Sequence, residues 1–181
     1  TDMADYVYDA ESLRTLAGKK YHKKKNHVNA FLKEYEGRYE YRALTPADKG
    51  TIWQFLNRWE NGKSDDVGQH LEGEIVGIHE LLNNLDKINA KIAGVFIDGQ
   101  LEAFTVGSYN PTDRMAVIHI EKANADIRGL YTFINQQFLV HEFADAVLVN
   151  REDDVGMEAL RKAKQSYHPI MMVRKFSMQQ K

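Results

Sequence analysis

Two side chains that can accept a proton alternate along one short predicted strand. The strand is MAVIHIE, residues 115–121, and a period of two places His119 and Glu121 on one face, opposite Ile118 and Ile120. An imidazole or a carboxylate beside a reacting amine or hydroxyl can act as a general base. We therefore expect Glu121 first, and His119 second, to be catalytic. The alternative is a hydrogen-bonded polar pair on a sheet face that takes no part in chemistry.

A dense polar turn follows the next predicted strand, AVLVN. It contains Asn150, Arg151, Glu152, Asp153 and Asp154. Arg151 has a planar fork of donors that fits a carboxylate or phosphate at two points, whereas Asp153 or Asp154 is expected to cap the following helix. The alternative is that the turn only caps that helix and forms an ion pair with Arg161 or Lys162. The substrate-binding candidates are Asn124, Asn150, Arg151, Glu152, Lys164, Ser166 and Tyr167. The last three could instead only close this helix onto the sheet.

A third feature is the concentrated positive charge of GKKYHKKKNHVN, residues 18–29. The whole chain has 24 Lys and Arg against 26 Asp and Glu, a formal net charge of −2, so any anion binding must be local. One interpretation is a helix face that binds phosphates, and the other is an ordinary solvated face with long lysine stems beside the core. The phosphate-binding candidates are Lys19, Lys20, Lys23, Lys24, Lys25 and Asn26.

Composition excludes several other kinds of site. The chain has no cysteine, which excludes disulfides, thiolate metal sites and cysteine nucleophiles. The seven histidines show no metal-ligand spacing, so no metal site is predicted. No apolar run approaches the roughly 20 residues that span a bilayer, and the N-terminus lacks the apolar core of a signal peptide. We expect a soluble, cytoplasmic protein of 181 residues with one packed core.

The first half of the chain is predicted to be mostly helical. Helical patterns run from Asp9 to Tyr35, and the strand YEYRAL follows. Thr45 and Pro46 then begin a helix, as N-cap and first helical residue. After a polar loop at 62–66, a second helix is expected to place on one face Leu71, Ile75, Ile78, Leu81, Leu82 and Leu85.

The second half changes to a period of two. Two strands surround Asp98-Gly99, a good two-residue hairpin turn, and MAVIHIE follows them. A helix from Gly129 to Phe143, the strand AVLVN, a helix from Gly156 to Tyr167 and the strand IMMVRKF complete the chain. The order predicts a mixed α/β sheet with helices on both faces.

Three segments carry a family resemblance. LAGKKYHKKKNHVNAFLKEY (16–35), HIEKANADIRGLYTFINQQF (119–138) and VNREDDVGMEALRKAKQSYHP (149–169) together resemble the phosphatidylglycerol lysyltransferase C-terminal-like family. The resemblance implies an α/β fold of the GNAT acyltransferase type. It also implies a second GNAT-like half at 39–181, preceded by a basic linking arm at 1–38, with the family's N-terminal half missing.

The resemblance also bears on the acyl donor. Coenzyme A-dependent GNAT enzymes carry a glycine-rich turn for the pyrophosphate, but residues 121–130 contain only Gly129 and place Asp126 near the helix start. The tyrosine that usually protonates the leaving thiolate would fall at Ala163. The family instead implies aminoacyl-tRNA as donor, no cofactor, the lysine run as the tRNA-binding surface, and an amine or hydroxyl acceptor on a lipid head group, peptide or small molecule. The alternatives are a divergent acyl-CoA-dependent N-acetyltransferase and a non-catalytic anion-binding scaffold.

Overall fold

The structure is a mixed sheet of seven strands with helices packed against it. The computed structural model describes residues 4–61, 77–153 and 155–174. The strands are β1 (Ala4–Asp9), β2 (Tyr39–Leu44), β3 (Lys91–Ile97), β4 (Gln100–Asn110), β5 (Met115–Ala123), β6 (Leu148–Asn150) and β7 (Met171–Arg174). The helices are α1 (Ala10–Thr15), α2 (His22–Glu34), α3 (Lys49–Asn61), α4 (77–83), α5 (Leu85–Ile88), α6 (Leu130–Glu142) and α7 (Glu158–Gln165). The predicted mixed α/β architecture is therefore confirmed.

The strand order creates an opening in the middle of the sheet. The order is β2-β3-β4-β5-β6-β1-β7, and every neighbouring pair is antiparallel except β5 and β6. That parallel pair covers only residues 115–117 of β5 and 148–150 of β6. Beyond residue 150 the chain bonds to β1 instead, because the Arg151 amide donates to the Tyr6 carbonyl and the Tyr6 amide donates to the Glu152 carbonyl, both at 3.0 Å. Among the described residues, the remainder of β5 therefore pairs with no strand on this side.

Strand β1 is not predicted from the sequence, because the first recognisable pattern is the helical one that begins at Asp9. It lies between β6 and β7, and Tyr6, Val7 and Tyr8 are all buried. The predicted helix start at Asp9 is correct, because the Asp9 carboxylate accepts a hydrogen bond from the Ser12 amide at 2.9 Å. The boundary after residue 38 stays a prediction, while β1, α1 and α2 contribute to the same core as the later elements.

Two hydrophobic clusters hold the helices on the two faces of the sheet. The first cluster joins α1, α2 and α6 to the sheet and includes Phe31, Phe133 and Phe138. The second joins α3, α4 and α5 to the sheet and includes Phe55 and Phe104. Both faces of the sheet are therefore covered, as the strand and helix pattern predicts.

The boundaries of the helices follow the sequence signals closely. Thr45 and Asp48 form a reciprocal capping box ahead of α3, and Pro46 occupies the expected position. Ile78, Leu82 and Leu85 are buried as predicted. Leu71 and Ile75, which the same pattern assigned to this helix, lie outside the described residues, as does the candidate cap Asp154. Helix α7 has Met157 at its N-cap with no side-chain cap, so the prediction that Asp153 caps it is wrong.

A bulge in β5 changes the predicted pattern of side chains. Val106 pairs with Ile120 but Gly107 pairs with Ile118, so His119 is skipped in the register. As a result Ile118 belongs to the first cluster and Ile120 to the second. The prediction that these two isoleucines share one face is wrong, because an extra residue in one strand reverses the alternation beyond it.

Candidate functional site

The opening between β5 and β6 is bridged by a buried ion pair. Arg151, just after β6, places Nη2 2.6 Å from Oε2 of Glu121 on β5. The two side chains are only 12% and 10% exposed. Arg151 Nη1 and Glu121 Oε1 are also buried, and neither has a hydrogen-bond partner among the described residues. Burial, the largest single effect, opposes the charge of Arg151, but Glu121, Tyr167 and Tyr8 together raise the pKa of the guanidinium.

Two tyrosines flank the guanidinium of Arg151. Its carbon lies 4.6 Å from the ring centroid of Tyr167 and 5.8 Å from that of Tyr8. The Tyr8 hydroxyl donates to the Lys164 carbonyl at 2.8 Å, and the Tyr167 hydroxyl is 2.9 Å from the hydroxyl of Thr132 on α6. Burial raises the pKa of both phenols, with Arg151 acting in the opposite direction. Both rings therefore stay neutral and present aromatic faces to the cation.

Two lysines complete this group, which we call the cationic cluster: Arg151, Lys164, Lys24, Glu121, Tyr8 and Tyr167. The Lys164 ammonium donates to the Arg151 carbonyl. Burial, followed by repulsion from Arg151, lowers the pKa of Lys164 to about 8. The Lys24 ammonium lies 4.2 Å from the ring centroid of Tyr167, and the same two causes lower its pKa. Positive charge here is thus incompletely balanced by the protein.

A second polar group lies beside the cationic cluster and is called here the His119 relay. Ser108 Oγ on β4 is 2.8 Å from His119 Nε2, and His119 Nδ1 is 3.5 Å from Glu152 Oε2. The side chains of His119 and Glu152 are 26% and 39% exposed, so solutes can reach them. The two sets of contacts are adjacent. Each takes one residue from β5, Glu121 or His119, and one residue from the turn after β6, Arg151 or Glu152.

The other predicted substrate-binding residues mostly shape the surrounding turns. Asn150 donates from Nδ2 to Asp5 and accepts from the Glu152 amide at 2.7 Å, which fixes the start of the turn. Asn124 lies in the turn before α6, where its Oδ1 accepts from the Asp126 amide. Ser166 is exposed and donates to the Ala163 carbonyl. These residues support the backbone of the turns in which they lie.

The predicted phosphate-binding residues divide into two groups. Lys24 belongs to the cationic cluster. The others are exposed along the start of α2 and the turn before it: Lys19, Lys20, Lys23, Lys25 and Asn26. The lysine run therefore supplies one side chain to the opening and a charged outer face next to it.

Three contributors were missed from the sequence. Tyr8 lies in the strand that was not predicted, although the alternating Tyr-Val-Tyr of residues 6–8 is typical of a strand. Ser108 and Thr132 are single hydroxyls with no distinctive spacing. Only the fold brings them to His119 and Tyr167.

Helix α2 crowds the turn that carries the phosphate site in coenzyme A-dependent GNAT enzymes. A Cβ on Gly129 would lie 2.1 Å from the backbone oxygen of His27, and Gly129 has φ +83°. Only glycine can occupy this position, and it does so to let α2 pass over the start of α6. Gly129, the single glycine in the segment that corresponds to the phosphate-binding turn, therefore serves the packing of α2 against α6.

None of the helices at 4–61, 77–153 and 155–174 is long and apolar enough to cross a membrane. The same ranges contain no group of three or more His, Asp or Glu side chains that could hold a metal ion.

Solved structures share this fold. A conserved protein of unknown function from Bacteroides thetaiotaomicron superposes with a TM-score of 0.88 and 32% identity, covering 96% of this chain and 59% of its own. The C-terminal domain (DUF2156) of a putative lysylphosphatidylglycerol synthetase from Agrobacterium fabrum gives 0.63 and 16%, with the same two coverages. A tandem GNAT protein from the clavulanic acid biosynthesis pathway gives 0.54 and 11%, covering 96% of this chain and 51% of its own. The GNAT-like fold is confirmed.

The chain spans 59% of the length of the first two of these proteins and 51% of the third. The family model described as phosphatidylglycerol lysyltransferase, C-terminal, matches residues 1–179. The chain therefore belongs to the phosphatidylglycerol lysyltransferase C-terminal family.

Proposed function

We propose that this domain transfers an aminoacyl group from aminoacyl-tRNA to an amine or hydroxyl acceptor. The observation that carries the proposal is the cationic cluster at the β5/β6 opening, which Lys24 joins to the outer lysines of α2. Burial, followed by repulsion from Arg151, lowers the pKa values of Lys24 and Lys164, and an incoming anion would relieve that repulsion. Arg151 Nη1 is buried without a hydrogen-bond partner among the described residues, which leaves an unsatisfied donor in the cluster.

The charge distribution favours a large anion over a single phosphate. The exposed lysines precede and follow Lys24 along one helical segment, so they can contact further phosphates of a ligand already bound at the cluster. Such contacts add affinity and orientation without reading sequence. A tRNA acceptor end, with its ester on the terminal ribose and phosphates leading away from it, has this shape and charge.

The crowding at Gly129 supports a donor other than coenzyme A. A pyrophosphate at the start of α6 needs free space above the first backbone amides of the helix. In this chain the His27 carbonyl approaches that turn, and a carbonyl oxygen would repel an anion. The divergent acyl-CoA-dependent N-acetyltransferase remains the second candidate, supported by the GNAT-like fold alone.

The reaction needs a group that removes a proton from the acceptor as it attacks the ester carbonyl. We assign this role to His119, which is partly exposed and reaches the opening. Glu121, the first candidate from the sequence, forms the ion pair with Arg151 and is assigned to positioning that guanidinium. The acceptor proton passes to His119 and then to the ribose oxygen that leaves with the tRNA.

The test is transfer of radiolabel from a pool of charged tRNAs to lipid, peptide and small-molecule fractions, with this chain and with its full-length parent. We expect transfer that is lost in Arg151→Ala and retained in Lys87→Ala, a lysine on α5 in the opposite helical layer. Absence of transfer in both proteins would refute the proposal. Stabilisation by coenzyme A would then favour the acetyltransferase, and no response to either donor would favour the scaffold.

A further inference from the structure

We propose that the His119 relay is a nucleophilic triad in which Ser108 carries the acyl group as a covalent ester between donor and acceptor. This inference rests on the proposed acyl transfer and adds a second chemical step to it. Ser108 Oγ is 2.8 Å from His119 Nε2, within the 2.6–3.2 Å range typical of a nucleophile and its base. Glu152 supplies the third group, 3.5 Å from the other ring nitrogen.

The partners of His119 favour one chemical role for each ring nitrogen. The Glu152 carboxylate can only accept, so the proton of neutral His119 resides on Nδ1 when these groups bond. Nε2 is then free to accept from the Ser108 hydroxyl. This is the tautomer in which imidazole removes a proton from serine, and Glu152 stabilises the imidazolium that forms.

The backbone around the triad is shaped to bring its members together. The bulge in β5 skips His119 in the register with β4, and bulges commonly redirect a side chain next to an active site. At the same place Gly107 leaves no room for a side chain, because a Cβ there would lie 2.9 Å from both Phe138 and the Val117 carbonyl.

Glu152 is held in an unusual backbone conformation. Its φ is +63°, in the left-handed region that is unfavourable for a residue other than glycine. The Glu152 amide donates to Asn150 Oδ1 at 2.7 Å and its carbonyl accepts from the Tyr6 amide at 3.0 Å, which fixes the residue in that conformation. Two hydrogen bonds maintain this strained conformation. We infer that the position of the Glu152 carboxylate is constrained.

Each of the two steps conserves its protons and replaces one acyl bond with another. Ser108 Oγ attacks the ester carbonyl while His119 takes the hydroxyl proton, and the bond to the ribose oxygen breaks as His119 returns that proton to it. The acceptor amine or hydroxyl then attacks the Ser108 ester, His119 takes the acceptor proton, and the proton passes to Ser108 Oγ as the acyl–serine bond breaks. No oxidant, reductant or cofactor is consumed.

The test uses a fluorophosphonate, which phosphonylates activated serines, followed by mass spectrometry of the digested protein. We expect the adduct on Ser108, and labelling at least about 100-fold slower in His119→Gln, the scale of general-base catalysis. Glu152→Gln should slow labelling by a smaller factor. His141→Gln is the matched control, because this exposed histidine bonds only within α6 to Gln137 and stacks on Tyr41.

The outcomes separate this inference from the proposed function. Labelling of Ser108 that is no faster than labelling of exposed Ser166, or that His119→Gln leaves unchanged, would overturn the triad. Aminoacyl transfer that persists in a folded Ser108→Ala protein would also overturn it while leaving the proposed function intact. Rapid His119-dependent labelling together with no transfer from tRNA would support the triad and refute the proposed donor.

Discussion

The ion pair between Arg151 and Glu121 gives the sharpest prediction for stability. Replacing Glu121 with Gln keeps the shape of the side chain but removes the charge that balances a buried guanidinium. Both partners are roughly nine-tenths buried, and breaking such a pair by neutralising one partner costs about 3–5 kcal/mol. For a chain of 181 residues, 1 kcal/mol shifts Tm by about 2–4 °C, so Glu121→Gln should lower Tm by about 6–20 °C.

The chain offers a matched control for this measurement. Arg38 and Asp98 form a pair with the same 2.6 Å distance between Nη2 and a carboxylate oxygen, but their side chains are 50% and 56% exposed. Asp98→Asn should leave Tm unchanged within error, since solvent screens such a pair and asparagine tolerates the positive φ of this turn residue. The assay is thermal unfolding followed by circular dichroism, supported by urea unfolding.

A double variant distinguishes charge from packing. Glu121→Leu combined with Arg151→Met removes both charges and retains apolar volume, so it should be much more stable than the sum of the single variants predicts. If Glu121→Gln changes Tm no more than Asp98→Asn, the guanidinium is not held by a buried pair. The cationic cluster would then lack the fixed donor on which anion binding depends.

Three further predictions concern the ligand and the helix that carries the lysines. Because the pKa of Lys164 is about 8, affinity for inorganic pyrophosphate should fall as the pH rises from 7 to 9.5, by up to about tenfold per pH unit above 8, and Lys164→Met should weaken this dependence in calorimetric titrations. Lys23→Glu combined with Lys25→Glu should weaken tRNA binding and reduce the slope of log affinity against log salt by about 2, whereas Lys87→Glu should change neither in filter-binding assays. Gly129→Ala should lower Tm by at least several degrees, since its Cβ would collide with a backbone carbonyl of α2 and its φ is positive; an unchanged Tm would mean that α2 does not pack there.

The sequence predicts the architecture well because its local signals are strong. The capping box at Thr45, the hairpin turn at Asp98-Gly99 and the apolar stripe of α2 each depend on residues close together in the chain. The missed strand β1 is the first of the described elements, and its pairing with β6 and β7 involves residues at least 139 positions away. Long-range pairing of this kind leaves little trace in local periodicity.

The site was only partly predictable for a related reason. His119, Glu121 and Arg151 were identified as types that can do chemistry, but their partners were not. One skipped residue in β5 decides that Glu121 contacts Arg151 while His119 contacts Ser108, and a bulge has no sequence signature as clear as a turn. Glu121 and His119 therefore appear equivalent in the sequence and have different partners in the fold.

The position of Lys24 connects recognition to chemistry within a single helix. The outer lysines of α2 and the Lys24 ammonium belong to one rigid segment, and that segment is fixed to the start of α6 by the close approach of His27 to Gly129. An anion bound along the outer face would therefore be held in a defined position relative to Arg151 and the His119 relay. If this rigidity matters, loosening the contact should reduce aminoacyl transfer more than it reduces tRNA affinity. Gly129→Ala provides that comparison at temperatures well below its Tm, and equal losses in both quantities would show that α2 serves only to attract the ligand.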